Sequence, residues 1–246
     1  MIEAKNLHFS YGGREVLRGI DFKAEAGEFV AILGPNGAGK STFLRCLAGI
    51  LKCSGVGLNG RPLTNYSPQE LSGIIAYVPQ RTESNFLTVF DTVLLGRRPY
   101  MGLTPSERDL RIVEDSLKML GIEKLALKRT NEISGGELQK VSIARALAQE
   151  SKILLMDEPT NNLDLKSQLE VMRLARELSK GGRTVITVMH DVNLALRFAK
   201  RFVFMKDGRI VADGGLEVLG EELFLEVYGV KVEIGEVRGI PVVVPL

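Results

Sequence analysis

Apolar and polar positions change period several times along this chain, and the changes divide it into elements. Ile2, Ala4, Leu7, Phe9 and Tyr11 punctuate a polar background, then Gly12-Gly13 turns the chain toward Val16-Leu17, which predicts a β-hairpin. Phe29 to Leu33 is a short, wholly apolar run, the pattern of a buried strand. Ile74 to Val78, Ile153 to Met156 and the β-branched Thr184 to Met189 are further short apolar runs. Between them the period lengthens. Lys40 to Ile50 reads as a helix, and Thr104-Pro105 opens another that carries Leu110, Val113, Leu117 and Leu120 and stops at Gly121. Thr104 is its expected N-cap and Pro105 its first helical residue. Ser134 caps a helix to Gln149, Leu165 to Leu178 is helical, and Asp191 caps a helix to Lys200. Asp207-Gly208 predicts a hairpin between Phe202–Met205 and Ile210–Ala212. A short helix near Leu216 to Tyr228 and a β-rich tail follow.

Strands alternating with helices predict an α/β fold with a mostly parallel sheet and helices on both faces. The opening hairpin adds an N-terminal antiparallel β subdomain. The stretch from 81 to 150 lacks strand signals and is expected to be an inserted helical lobe. A single domain is expected, with residues 1–80 and 151–246 forming the core.

Composition adds exclusions. Apolar residues make up 45% and charged residues 25% of the 246-residue chain, ordinary for a globular protein. A formal net charge of +2 without long like-charge blocks gives no sign of nucleic-acid binding. No apolar run reaches the ~18 residues a spanning helix needs, and the N-terminus is not a signal peptide. Cys46 and Cys53 form no CxxC pair, so free thiols in a reducing cytoplasm are expected.

The chemistry begins at Gly34, Pro35, Asn36, Gly37, Ala38, Gly39, Lys40 and Ser41, a complete Gly-x4-Gly-Lys-Ser loop, followed by Thr42. It sits between a strand and a helix, so backbone N–H groups and the helix dipole converge on one anion. Lys40 is placed to reach the β- and γ-phosphates of a nucleotide and the Ser41 hydroxyl to ligate Mg²⁺. After the apolar run at Ile153 come Asp157 and Glu158, delivered to the sheet edge where ligands bind. Successive strand side chains point to opposite sides, so the two acids can divide the work. Asp157 is expected to hold Mg²⁺ and Glu158 to polarise the attacking water. Ile133-Ser134-Gly135-Gly136-Glu137 opens a helix and can serve as a second anion site or as a plain serine cap.

In order along nearly the whole chain, these motifs resemble those of the ATP-binding subunits of ATP-binding-cassette transporters. Gly34 to Ser41 resembles the Walker A loop, Gln80 the Q-loop glutamine, and Ser134 to Glu137 the signature motif. Asp157-Glu158 resembles Walker B with its catalytic glutamate, Asn161 to Asp164 the D-loop, His190 the H-loop histidine, and Tyr11 the aromatic that stacks on adenine. The resemblance implies a P-loop NTPase core, with Glu158, His190 and Gln80 catalytic. It implies ATP contacts from Tyr11, Gly34 to Thr42, Ser134, Gly135, Gly136 and Asp164, and Mg²⁺ near Ser41, Gln80 and Asp157. Ile133 and Glu137 depart from the usual Leu and Gln.

The same resemblance implies a homodimer of cassettes with ATP at the interface. It implies separate multi-pass permease subunits, an extracytoplasmic substrate-binding protein, and a location on the cytoplasmic face of the membrane. Thr88 to Arg97, the stretch after His190 and Glu226 to Val230 are similar to cassettes serving iron–siderophore, haem and cobalamin uptake. A soluble relative such as an iron–sulfur assembly ATPase is the alternative. Arg81 to Tyr100, with Phe86, Leu87, Val89 and Phe90, reads either as the permease docking surface or as a buried connector.

Overall fold

The computed structural model describes residues 1–246. The chain opens with β1 (Ile2–Tyr11) and β2 (Arg14–Ala24), an antiparallel pair joined at Gly12-Gly13. β3 (Phe29–Leu33) then feeds α1 (Lys40–Leu47). β4 (Val56–Leu58) and β5 (Arg61–Pro62) return to the first pair, giving a four-stranded sheet ordered β2-β1-β4-β5.

Next come α2 (Pro68–Ile74) and β6 (Ile75–Val78), followed by α3 (Val89–Leu94), α4 (Glu107–Met119) and α5 (Gly135–Ala148) with no strand among them. β7 (Ile153–Asp157), α6 (Leu165–Lys180), β8 (Thr184–Val188), α7 (Val192–Phe198) and the hairpin β9 (Arg201–Lys206) and β10 (Arg209–Gly214) complete the main sheet. α8 (Glu221–Tyr228) and the two-stranded β11 (Val232–Val237) and β12 (Ile240–Pro245) end the chain.

The main sheet runs β10-β9-β3-β8-β7-β6, parallel except where β10 turns back on β9. Its central strands β3, β7 and β8 are buried along their whole length because both faces are covered, whereas the edge strand β10 is mostly half-exposed. Ala31, Leu33, Leu154, Met156, Phe202 and Phe204 face the core beneath the later helices, whereas Val30, Ile32, Leu155, Ile186, Val203 and Met205 face α1 and the antiparallel sheet. The period-two side-chain alternation therefore divides each strand between two cores.

α4 differs from expectation at its start. It begins at Glu107 with Ser106 as N-cap, not at Pro105 behind Thr104. Ser106 Oγ accepts from Asp109 N (3.3 Å), and Asp109 Oδ2 accepts from Ser106 N (2.9 Å). This reciprocal box satisfies two orphan donors at once. Asp109 is further held by buried Arg97, whose Nε donates to Oδ1 (2.9 Å). Ser106 bonding, reinforced by Arg97, pulls the Asp109 carboxyl down to about 2.

Candidate functional site

Parallel register brings the candidate chemistry to one sheet edge. Val78 lies opposite Met156, Asp157 opposite Val188, and Ile32 opposite Val188, so the C-terminal ends of β6, β7, β8 and β3 align. The segments leaving those ends carry Gln80, Asp157-Glu158, His190 and the loop 34–39.

The loop starts at Gly34, with φ 143° and a backbone so close to β9 that a Cβ would stand 2.1 Å from the Met205 carbonyl oxygen. Only glycine fits there. Lys40, the first residue of α1, is buried and its Nζ donates to the Gly34 and Pro35 carbonyls at 2.7 and 2.8 Å. Burial pushes the Lys40 ammonium below its ordinary range, while Glu158 and Asp157 pull it back. The ammonium therefore sits inside the loop that a polyphosphate would enter.

Ser41 and Asp157 meet across the sheet edge, the Ser41 hydroxyl donating to Asp157 Oδ1 at 2.8 Å. Tyr77 OH donates to Asp157 Oδ2 at 3.1 Å and accepts from Arg45 Nε at 3.3 Å. Asp157 is fully buried, and that burial raises its carboxyl against the opposing bonds from Ser41 and Tyr77. Burial also raises the Tyr77 phenol to about 12. No cluster of three His, Cys, Asp or Glu side chains offers a metal cage. One buried carboxylate beside a hydroxyl is instead a hard oxygen set that fits Mg²⁺, which commonly takes few protein ligands and completes its shell with phosphates and water.

Glu158 adopts φ 51°, a sparsely populated conformation for a non-glycine residue, and its N–H donates to the Val188 carbonyl at 3.1 Å. Its side chain is almost wholly buried. Gln80 Nε2 donates to Oε2 at 2.6 Å, the Asn161 amide donates to the same oxygen, and His190 Nε2 lies 2.5 Å from Oε1. Glu158 thus has partners from three separate connections, which orient its carboxylate.

A cleft of about 550 Å³ joins many of these groups. Tyr11, Asn36 to Thr42 and Glu158 line it, together with Arg14, Arg18 and Asp207. Tyr11 is 45% exposed and its ring meets Phe9 edge to face at 4.8 Å, which leaves a face free for a planar ligand.

Ser134, Gly135 and Gly136 do not line that cleft. Ser134 caps α5, with Ser134 N and Oγ both donating to Glu137 Oε2 at 2.8 Å. The unusual Glu137 therefore completes a capping box, and the Ser134 bonds hold its carboxyl low. A Cβ on Gly136 would lie 3.2 Å from the Asn162 carbonyl, so the start of α5 packs closely on the 161–164 turn of the same chain. Asp164 caps α6, accepting from Ser167 N at 2.8 Å.

The apolar segment 81–100 is divided by the fold. Phe86 is 78% and Leu87 41% exposed, but Val89 is fully buried and Phe90 packs against the main core. Val89 and Phe90 are therefore parts of the core, because α3 turns them inward. Tyr77 and Arg45 were not among the expected site residues, and Asn161 was expected only as part of the stretch resembling the D-loop. Only the strand phase of Tyr77 relative to Asp157 hinted at their grouping.

The ABC transporter family pattern matches residues 17–161. An uncharacterized ABC transporter ATP-binding protein of Methanocaldococcus jannaschii is 51% identical over 249 residues, covering 100% of this chain and 98% of that protein. A hemin import ATP-binding protein of Chelativorans is 39% identical over 246 residues, covering 96% of this chain and 93% of that protein. Among solved structures, a dimeric ATP-binding cassette in a post-hydrolysis state with ADP and Pi is 33% identical, with a TM-score of 0.79 over 88% of this chain and 99% of that one. An inward-facing ABC transporter assigned to the metal-chelate type is 28% identical, with a TM-score of 0.84 over 100% of this chain and 96% of that one.

Proposed function

We propose that this chain, which belongs to the ABC transporter family of ATPases, energises an importer of a metal chelate such as haem, an iron–siderophore or cobalamin. Similarity to a hemin import subunit and to a transporter of the metal-chelate type supports that substrate class. The observation that carries the catalytic reading is Glu158, buried at the cleft wall and held by Gln80, Asn161 and His190.

ATP stacks its base on Tyr11 and lays its phosphates along Gly34 to Thr42, where backbone N–H groups and the Lys40 ammonium offset their charge. Bound Mg²⁺ supplies Lewis-acid stabilisation of the phosphates. Ser41 and Asp157 would hold it, with Gln80 as a further candidate ligand. Glu158 orients the attacking water and accepts its proton, while His190 holds the carboxylate and the γ-phosphate oxygens in place.

Two cassettes associate so that Ser134, Gly135, Gly136 and Asp164 of each complete the ATP site of the other. A dimeric relative supports this arrangement, as does the exposure of Ser134 and Gly135 outside the chain's own cleft. ATP contacts both cassettes only when they close, so it favours the closed pair. No helix of the chain is long and apolar enough to cross a membrane. In this reading the permease is a separate partner, as the name of the hemin import ATP-binding relative suggests, served by an extracytoplasmic binding protein, with the cassette at the cytoplasmic face. Residues 81–150 act as the lobe that meets the permease, through exposed Phe86, Leu87, Leu95 and Tyr100.

The test is to co-express the cassette with the permease from its genomic neighbourhood and measure ATP hydrolysis in proteoliposomes. Haem, ferric siderophore and cobalamin are presented in turn on their binding proteins. Stimulation by one chelate is expected. A cassette that hydrolyses ATP but never co-purifies with a membrane subunit would overturn the transport reading.

A further inference from the structure

The carboxylate of Asp157 is gripped by the chain at both oxygens. Tyr77 lies opposite Leu155 in the parallel pairing of β6 and β7. Leu155 and Asp157 are two residues apart and share a face of the sheet, so Tyr77 and Asp157 project to the same side. α1 covers that side through Phe43, Leu44 and Leu47. Ser41 and Arg45, four apart on α1, point to the same flank of the helix. Ser41 Oγ donates to Oδ1 at 2.8 Å, while Arg45 Nε donates to the phenolic oxygen at 3.3 Å and Tyr77 OH donates to Oδ2 at 3.1 Å.

The terminal torsion of an aspartate is broad. A single bond from Ser41 would leave the carboxylate plane free to swing, whereas a second donor on the other oxygen fixes it. Arg45 can only donate, so its bond to the Tyr77 oxygen leaves the phenolic hydrogen to point at Asp157. The ring of Tyr77 also forms part of the wall of a second cavity of about 850 Å³, which is lined as well by Cys53, Tyr66, Leu71 and Leu95.

We infer that Tyr77 is a positioning residue for the metal-site carboxylate, and that it carries displacements of the neighbouring cavity wall to Asp157. This rests on the reading of Ser41 and Asp157 as the Mg²⁺ site. Tyr77→Phe keeps the ring and removes only the hydroxyl.

The experiment uses the full chain in a Glu158→Gln background and follows ATP binding as free Mg²⁺ is titrated. Tyr77→Phe should raise the half-saturating Mg²⁺ concentration about tenfold, the scale of losing a partner that orients a metal ligand. ATP binding in EDTA should not change, while the melting temperature should fall modestly because Oδ2 of buried Asp157 loses its donor. Unchanged Mg²⁺ dependence overturns the positioning role, and so does an equal loss of binding in EDTA, which would mean that Tyr77 supports the loop instead.

A second arm labels half-buried Cys53 with a maleimide, Cys46 being inaccessible. The adduct should raise the Mg²⁺ requirement of the parent and leave that of Tyr77→Phe nearly unmoved. No shift in the parent, or the same shift in both, removes the transmission. Lys40→Ala runs alongside: if it binds ATP in EDTA as the parent does, the nucleotide site itself is misassigned.

Discussion

His190 Nε2 and Glu158 Oε1 lie 2.5 Å apart, although the residues are 32 positions apart and leave the ends of different strands. Gln80 and Asn161 take the other oxygen, so the Glu158 carboxylate is aimed by side chains of its own chain. Glu158→Gln preserves shape but cannot accept a proton. Hydrolysis should fall by about 10²–10⁴-fold while ATP binding persists. With Mg-ATP the variant should accumulate as a closed dimer, measured by light scattering, whereas the parent should cycle back to monomer.

Lys40→Ala removes a buried ammonium from the phosphate loop. ATP binding should drop beyond detection at micromolar concentrations, because a charge-assisted contact is lost from the centre of the site. Calorimetric titration with ATP checks this. Circular dichroism should show an intact fold, since Lys40 bonds only to carbonyls of its own loop.

Tyr11→Ala should weaken ATP binding by about 1–3 kcal/mol, the range for an aromatic stacked on a base, and Tyr11→Phe should recover most of it. Competition with GTP adds a readout. Stacking tolerates any base, so the ATP-to-GTP ratio should stay nearly level in both variants.

Phe86→Glu should leave the melting temperature of the isolated chain unchanged, because the side chain is exposed. Val89→Glu should unfold the helical region by burying an unpaired charge. Pull-down of the permease in detergent then separates the roles. Loss of association in Phe86→Glu with normal free ATPase marks this face as the docking surface, and retained association places the contact elsewhere.

Asp109→Asn tests the cap of α4 and its bond to Arg97. The carboxyl is depressed from 3.8 to about 2 in the folded chain, chiefly by Ser106 and then by Arg97. A depressed carboxyl contributes stability that is fully present above the unfolded value and lost as pH falls through the folded value. Parent and variant should therefore differ in melting temperature at neutral pH and converge between about pH 4 and pH 2, as thermal scans across that window can show.

Residues near one another in the chain announced themselves. The loop 34–41 carries its own turn, strand and helix, and the pattern of β-branched runs and caps was enough to place most elements. Asp157-Glu158 was legible for the same reason, since four apolar residues precede two carboxylates. α4 shows the limit of local reading. The local pattern put the start at Thr104-Pro105, whereas the capping box between Ser106 and Asp109, backed by distant Arg97, sets it at Glu107.

Only the tertiary structure grouped Tyr77 and Arg45 with Asp157, or sent Val89 inward and Phe86 outward. Those relations depend on sheet register and on how α1 and α3 lie across the strands. The energy that sets register and packing is spread over two cores of many small apolar contacts. A local motif can be read because its parts constrain one another through the backbone. A contact between distant side chains cannot, because it exists only after the whole fold has put them together.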